Sequence, residues 1–163
     1  MIDAILVDDE ENALKSLALK INRFYPNFNI INTFQNPTEA VAFINNNKPD
    51  ILFLDVEMPV LSGFDILAEI ENPDFEIIFV TAYNEYAIQA FEVSAIDYLL
   101  KPVRIDLLEN AILKLEKKLE SSTMFERLNA LKTNLGSENI EKIAIPVSDG
   151  LVFVTLDLKS LNY

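Results

Sequence analysis

The feature that most constrains the fold is a repeated alternation of short apolar runs with stretches of helical period. The apolar runs span residues 2–7, 28–34, 51–54, 77–80 and 98–100. Between them, apolar residues return every three or four positions, as Leu14, Leu17 and Ile21 do after the first run. Strands that alternate with helices are typical of βα units wound on a parallel sheet. The sequence therefore predicts an α/β fold with a doubly wound, five-stranded parallel sheet.

Several local signals refine this prediction. Asn36-Pro37-Thr38-Glu39 has the residues of a helix start: a cap, a proline at the first helical position and a following acid. Pro49 is expected to end that helix. Runs 51–54 and 77–80 are apolar at consecutive positions, which is typical of central strands covered on both faces. Helices are predicted over 63–70, over 85–92 and from about residue 106.

The last of these helices carries a heptad-like apolar stripe, composed of Leu108, Ile112, Leu115 and Leu119. We expect the helix to continue past Ser121 until Gly136 stops it. The period then changes from helical to alternating, with Ile143, Ile145 and Val147 before Asp149-Gly150. This pattern predicts a β-hairpin with a two-residue turn. Because a lone hairpin is marginal in water, it either packs as an accessory or opens a larger β domain.

Composition excludes some classes of function. Lys and Arg total 13 against 26 Asp and Glu, a formal charge of -13, so the average surface repels nucleic acid. The chain has no cysteine and no histidine, which excludes disulfides, a histidine base and a phosphohistidine within it. Neither a basic leader nor a long apolar run is present, so we expect a cytoplasmic protein with no membrane partner.

Chemically useful side chains follow four of the five runs. Asp8 and Asp9 follow the first, Asp55 the third, Thr81 the fourth and Lys101 the fifth. Since ligands of open parallel sheets bind outside the carboxyl ends of the strands, these residues are expected to meet. Crowded carboxylates without histidine or cysteine favour Mg²⁺. The set predicts a phosphoryl-transfer site with Asp55 as nucleophile.

Each member also has a structural interpretation. The acids after the first run favour the start of a helix. Asp55 can cap a strand, Thr81 can be an ordinary strand residue, and Lys101 can be a solvated charge. Suitable residue types at four strand ends together favour chemistry over coincidence.

The order Asp8-Asp9, Asp55-Val56-Glu57-Met58-Pro59 with Gly63, Thr81-Ala82, Tyr98 and Lys101-Pro102 resembles the receiver domain of two-component response regulators. The resemblance covers roughly residues 1–120 and implies a flavodoxin-like sheet of strand order 2-1-3-4-5. It implies that Asp55 is the phosphoacceptor, that Thr81 and Lys101 contact the phosphoryl group, and that the Lys101–Pro102 bond is cis. It also implies Mg²⁺ bound by Asp9, Asp55 and the backbone carbonyl of Glu57, with Asp8 acting through water.

The resemblance assigns a switch role to Thr81 and Tyr98, where the tyrosine moves inward as the threonine approaches the phosphoryl group. It also implies a homodimer through the face of the fourth helix, fifth strand and fifth helix. The apolar stripe of the fifth helix either extends that contact or packs on its own sheet.

Residues 86–102 are similar to receivers attached to LytTR-type DNA-binding domains, and residues 143–153 resemble the first hairpin of such a domain. We therefore expect a receiver over 1–120, a helical linker over 121–139 and the start of a LytTR domain over 140–163. DNA would be bound only through LytTR segments that are missing from this sequence.

The sequence thus predicts a non-enzymatic response regulator, phosphorylated by a histidine kinase and switching transcription. One alternative is a receiver that signals through protein contacts alone. Another is a Mg²⁺-dependent aspartyl-phosphate phosphatase. It is disfavoured because Asp55 follows the third run and no segment is long enough for a substrate cap.

Overall fold

Five parallel strands form the central sheet of the protein. The structure is a computed structural model that describes residues 1–71, 73–134, 142–147 and 150–155. The strands are β1 (Ile2–Val7), β2 (Phe28–Phe34), β3 (Ile51–Leu54), β4 (Glu76–Thr81) and β5 (Asp97–Leu100). Their order in the sheet is β2-β1-β3-β4-β5. The predicted flavodoxin-like fold is confirmed.

Helices follow each of these strands, and their starts show which local signals are reliable. They are α1 (Glu11–Phe24), α2 (Pro37–Asn46), α3 (Gly63–Glu69), α4 (Ala87–Glu92) and α5 (Ile105–Asn134). The start of α2 is as predicted, because the Asn36 side chain accepts hydrogen bonds from the backbone N–H groups of Thr38 and Glu39. In contrast, α4 begins two residues later than predicted, after Tyr86, which makes no side-chain cap bond.

The predicted continuation of the last helix is confirmed as far as Asn134. Gly136, the predicted stop, lies outside the described residues. Within the described part of the chain, no helix is both long and apolar enough to cross a membrane.

The register of the sheet brings the site residues to one edge. Val7 of β1 pairs with Leu54 of β3, and Leu54 pairs with Phe79 of β4. The backbone N–H of Asp55 donates to the Val7 carbonyl oxygen at 2.9 Å, which extends the ladder one residue past β3. The carboxyl ends of β1, β3 and β4 therefore lie side by side.

Apolar side chains on both faces of the sheet form the core. All four residues of β3 are buried, as expected for a central strand between two helical layers. Of the α5 stripe, Leu108, Ile112 and Leu115 are also buried. The interpretation in which this helix packs on its own sheet is therefore correct. The expectation that these three residues extend a dimer contact is wrong, because they are not accessible to a partner.

The C-terminal strands are β6 (Lys142–Val147) and β7 (Gly150–Thr155), and they pair antiparallel. Gly150, predicted to lie in the turn, instead opens β7 opposite Val147. Residues 148 and 149 lie outside the described part. The chain divides into two compact units, Met1–Lys117 and Lys118–Tyr163. The domain boundaries at 120 and 139 remain predictions.

Candidate functional site

Three carboxylates meet at the carboxyl edge of the sheet. Asp8 and Asp9 follow β1, and Asp55 follows β3. One oxygen of each side chain lies within 4.8 Å of the other two. Asp8 and Asp55 are only 5% and 4% exposed, whereas Asp9 is half-buried. Such close, poorly hydrated negative charges repel one another strongly unless a cation lies between them.

Lys101 supplies one such cation. Its Nζ atom lies 2.7 Å from Oδ2 of Asp8 and 2.7 Å from Oδ2 of Asp55. The residue directly follows β5, and its backbone N–H donates to the Thr81 carbonyl oxygen at 2.8 Å. The Lys101–Pro102 peptide bond is cis, as the sequence resemblance implies. Lys101 thus connects the ends of β1, β3 and β5.

Burial and these contacts set the charge state of the pocket. Burial raises the pKa of the Asp8 carboxyl, although the Lys101 ammonium and the Glu10 backbone N–H act in the opposite direction. For Lys101, burial by itself would lower the pKa, but hydrogen bonds to Asp55 and Asp8 raise it above the ordinary value. Lys101 therefore remains a cation. The pocket contains three carboxylates and one ammonium, so it has an affinity for further positive charge.

The donor set fits Mg²⁺. Every side chain of the cluster offers oxygen, which hard divalent cations prefer. Among the residues that the structure describes, Asp8, Asp9 and Asp55 are the carboxylates near enough to share one ion. The side chain of Glu57 is exposed and points to a different partner, described below, and the role of its backbone carbonyl stays a prediction.

Thr81 adds an unpaired hydroxyl to the same edge. The residue ends β4 and is fully buried. Within the described part of the chain its Oγ1 atom has no hydrogen-bond partner. Leaving a buried hydroxyl without a hydrogen bond costs about 1–3 kcal/mol. A hydroxyl in this state therefore indicates a position where a ligand oxygen can bind.

Tyr98 connects β5 to the loop between β4 and α4. The side chain is half-buried, with its ring 6.2 Å from that of Phe79. Its hydroxyl donates to the backbone carbonyl oxygen of Tyr83 at 2.5 Å. Burial, reinforced by the charge of Glu85, raises the pKa of the Tyr98 hydroxyl. Tyr98 therefore holds the loop that leads from Thr81 to α4.

Sequence reasoning missed two residues beside the pocket. The Tyr86 hydroxyl donates to Oε1 of Glu57 at 2.5 Å, and this bond to a carboxylate raises the Tyr86 pKa to about 12. Tyr83 also has a raised pKa, first because of a hydrogen bond to Glu57. These contacts join loops that are 29 residues apart, and no periodic pattern in the sequence reports them.

Gly63 packs against the backbone of the phosphoacceptor candidate. Its N–H donates to the carbonyl oxygen of Val56 at 2.8 Å. A Cβ atom at this position would lie 2.3 Å from the carbonyl oxygen of Asp55 and 3.1 Å from Cγ of Leu54. The start of α3 can approach Asp55 this closely only because residue 63 lacks a side chain.

The chain matches the family described as the response regulator receiver domain over residues 4–113. It belongs to this family. The resemblance drawn from the motifs is therefore confirmed. The crystal structure of the response regulatory domain of the mrkE protein from Klebsiella pneumoniae is similar to this receiver, with a TM-score of 0.67 and 33% identity. The match covers 73% of this chain and 98% of that one.

Curated relatives are similar over most of the receiver chain. An uncharacterised response regulatory protein of Vibrio cholerae is 32% identical over 99% of this chain and 68% of its own length. The sensory transduction protein LytT of Bacillus anthracis is 33% identical over 96% of this chain and 63% of its own length. This chain spans between 50% and 68% of the length of these and other relatives.

Proposed function

We propose that this receiver accepts a phosphoryl group on Asp55 from a partner histidine kinase and uses it to switch a transcriptional output. The observation that carries the proposal is the position of Lys101 Nζ, which lies 2.7 Å from both Asp8 and Asp55 inside a three-carboxylate pocket. A lysine held in this way at the end of β5 is ready to exchange a carboxylate oxygen for a phosphoryl oxygen.

Asp55 is the nucleophile of the proposed reaction. An oxygen of its carboxylate forms a bond to phosphorus while the P–N bond of the donor phosphohistidine breaks, and the electron pair and a proton go to the imidazole. Oδ1 accepts the Val56 N–H at 2.6 Å and Oδ2 accepts a hydrogen bond from Lys101, so the carboxylate has a fixed orientation. Such pre-orientation is a large part of phosphoryl-transfer catalysis.

The remaining residues stabilise charge around the transferred group. Asp8, Asp9, Asp55 and the Glu57 backbone carbonyl would hold Mg²⁺, which when bound supplies positive charge to the phosphoryl oxygens. Lys101 binds a second phosphoryl oxygen. The hydroxyl of Thr81 donates to a third, which satisfies a group that has no partner among the described residues.

Thr81 and Tyr98 form the proposed switch. Movement of Thr81 toward the phosphoryl group pulls on the loop that follows β4, and Tyr98 is bonded to that loop at Tyr83. Movement of this loop and of Tyr98 alters the face formed by α4, β5 and α5, through which we propose homodimerisation. Ile88 and Phe91 on α4 are 76% and 85% exposed, and Leu100 on β5 is also exposed. Covering such side chains is favourable, which supports a partner at this face.

We infer a LytTR-type, DNA-binding output from the β6–β7 pair and from the similarity to a protein called LytT. DNA contacts would come from LytTR segments other than this hairpin, because the charge of -13 opposes binding to phosphates. That charge equally suits a receiver that acts through protein contacts alone. The phosphatase alternative is less favoured, since membership of the receiver family indicates signalling.

The proposal is tested by incubation with acetyl phosphate and Mg²⁺, followed by intact-mass measurement. We expect the wild type to gain one phosphoryl group and Asp55→Asn to gain none. The matched control is Asp50→Asn, which neutralises a half-buried carboxylate at the opposite end of β3 and should leave the modification intact. Hydroxylamine should release the label, because the expected product is an acyl phosphate. Phosphohistidine is not an alternative source of the label, since the chain has no histidine. Equal modification of Asp55→Asn would remove Asp55 from this role.

A further inference from the structure

The carboxylate of Glu57 is held by a tyrosine of a neighbouring loop. Glu57 follows Asp55 by two residues, and its side chain is exposed. Its Oε1 atom accepts the hydrogen bond from Tyr86 at 2.5 Å. Glu57 lies in the loop that follows β3 and Asp55, and Tyr86 lies in the loop that follows β4 and Thr81, so their hydrogen bond joins two loops that begin at the pocket.

Tyr86 is the anchored member of this pair. Its ring packs against the buried core cluster and lies 6.3 Å from the ring of Phe64 on α3. It also makes an edge-to-face contact with Tyr83 at 6.3 Å. Glu57, in contrast, has a flexible side chain that is exposed to solvent. The hydroxyl of Tyr86 therefore sets the position of the carboxylate, rather than the reverse.

The position of this carboxylate matters for any anionic reactant. The pocket already holds three carboxylates and one ammonium. A small phosphoryl donor such as acetyl phosphate carries negative charge and must approach Asp55 from solvent. If the Glu57 carboxylate moved over the entrance, it would repel the donor, and the effect would depend on ionic strength.

We propose that Tyr86 is a positioning residue that holds the Glu57 carboxylate aside from the phosphorylation pocket, and so keeps the entrance open to an anionic phosphoryl donor. This inference rests on the proposed phosphoacceptor role of Asp55. It assigns to the residue that precedes α4 an effect on the rate of phosphorylation, separate from the switch formed by Thr81 and Tyr98.

The test compares second-order rates of phosphorylation by acetyl phosphate with Mg²⁺ in four proteins: the wild type, Tyr86→Phe, Glu57→Gln and the double variant. We expect Tyr86→Phe to slow the reaction about three- to tenfold in low salt, and less at high ionic strength. In the Glu57→Gln background the same tyrosine substitution should change the rate by less than about twofold, because no charge is left to reposition. Tyr25→Phe, at a remote half-buried tyrosine, is the matched control and should react as the wild type does.

The outcomes separate the two proposals. Absence of modification in the wild type would overturn the phosphoacceptor role, and the inference with it. If the wild type is modified, an equal slowing by Tyr86→Phe in both backgrounds would show a purely structural role and overturn the inference. An unchanged rate in Tyr86→Phe would overturn it as well. Circular dichroism melting of each variant shows whether the compared proteins are equally folded.

Discussion

Replacing Gly63 by alanine tests whether the start of α3 sets the position of Asp55. Gly63 is the first residue of α3, where alanine would otherwise stabilise the helix by about 0.5–1 kcal/mol. The added methyl group, however, would lie 2.3 Å from the carbonyl oxygen of Asp55. Ordinary carbon contacts are at about 3.5–4 Å, so one of two backbone segments must move by about 1 Å.

The expected magnitude follows from this displacement. Forcing an extra methyl group into a packed position costs typically 1–3 kcal/mol, which exceeds the helix gain, so Gly63→Ala should be destabilised by about 1–2 kcal/mol. A misplacement of about 1 Å at a reacting group can lower a rate by about 100-fold. We therefore expect the phosphorylation rate to fall much more than the loss of stability alone would cause.

Urea denaturation measures the first effect, and modification by acetyl phosphate with Mg²⁺ measures the second. The control is Ser62→Ala, which removes the capping box that Ser62 forms with Asp65 and costs about 1 kcal/mol at the same helix end. It adds no atom against Asp55, so it should be less stable yet phosphorylated normally. A Gly63→Ala protein that is as stable and as reactive as the wild type would refute the reasoning.

Two further predictions concern the same edge of the molecule. Val60 has φ = 78° and is 87% exposed, and this left-handed conformation costs a β-branched residue about 1–2 kcal/mol. Val60→Asn should therefore raise the melting temperature by a few degrees, whereas Val93→Asn, at φ = -86°, should not; equal shifts in calorimetry would contradict this. Lys101→Ala should still accept a phosphoryl group on Asp55 but fail to dimerise on phosphorylation, because the tie between the ends of β1, β3 and β5 is lost. Light scattering of the phosphorylated variant measures this, and normal dimerisation would show that Lys101 does not couple phosphorylation to dimerisation.

The fold was predictable where burial dictates the sequence pattern. The bounds of β1 and β3 agree with the apolar runs, because central strands tolerate few polar residues. The bounds of the edge strand β2 agree as well, although it also carries polar residues. The start of α2 was predictable because Asn36 carries the capping chemistry in its own side chain. The start of α4 was not, since Tyr86 leaves no capping signal. The sequence did not decide whether the apolar stripe of α5 packs on its own sheet or on a partner, because both arrangements produce the same periodic pattern.

Some features of the site were likewise predictable from the sequence, and others were not. Asp8, Asp9, Asp55, Thr81 and Lys101 were predictable as neighbours because a parallel sheet brings the ends of its strands together. The Tyr86–Glu57 and Tyr98–Tyr83 contacts were not, because each depends on the path of an irregular loop. The same holds for the close approach of Gly63 to Asp55, which is visible only once the backbone is placed.

The low intrinsic stability of α4 has a consequence for the proposed switch. The helix has six residues, fewer than two turns, with no side-chain cap bond, no acid in its first turn and no base in its last. Helices this short have little stability of their own, and of its residues only Ala90 is buried. Compared with the buried strands of the sheet, α4 is thus an element that can rearrange at a small cost in free energy. In the proposed switch, the sheet holds the reacting residues in fixed positions and α4 is the element that rearranges.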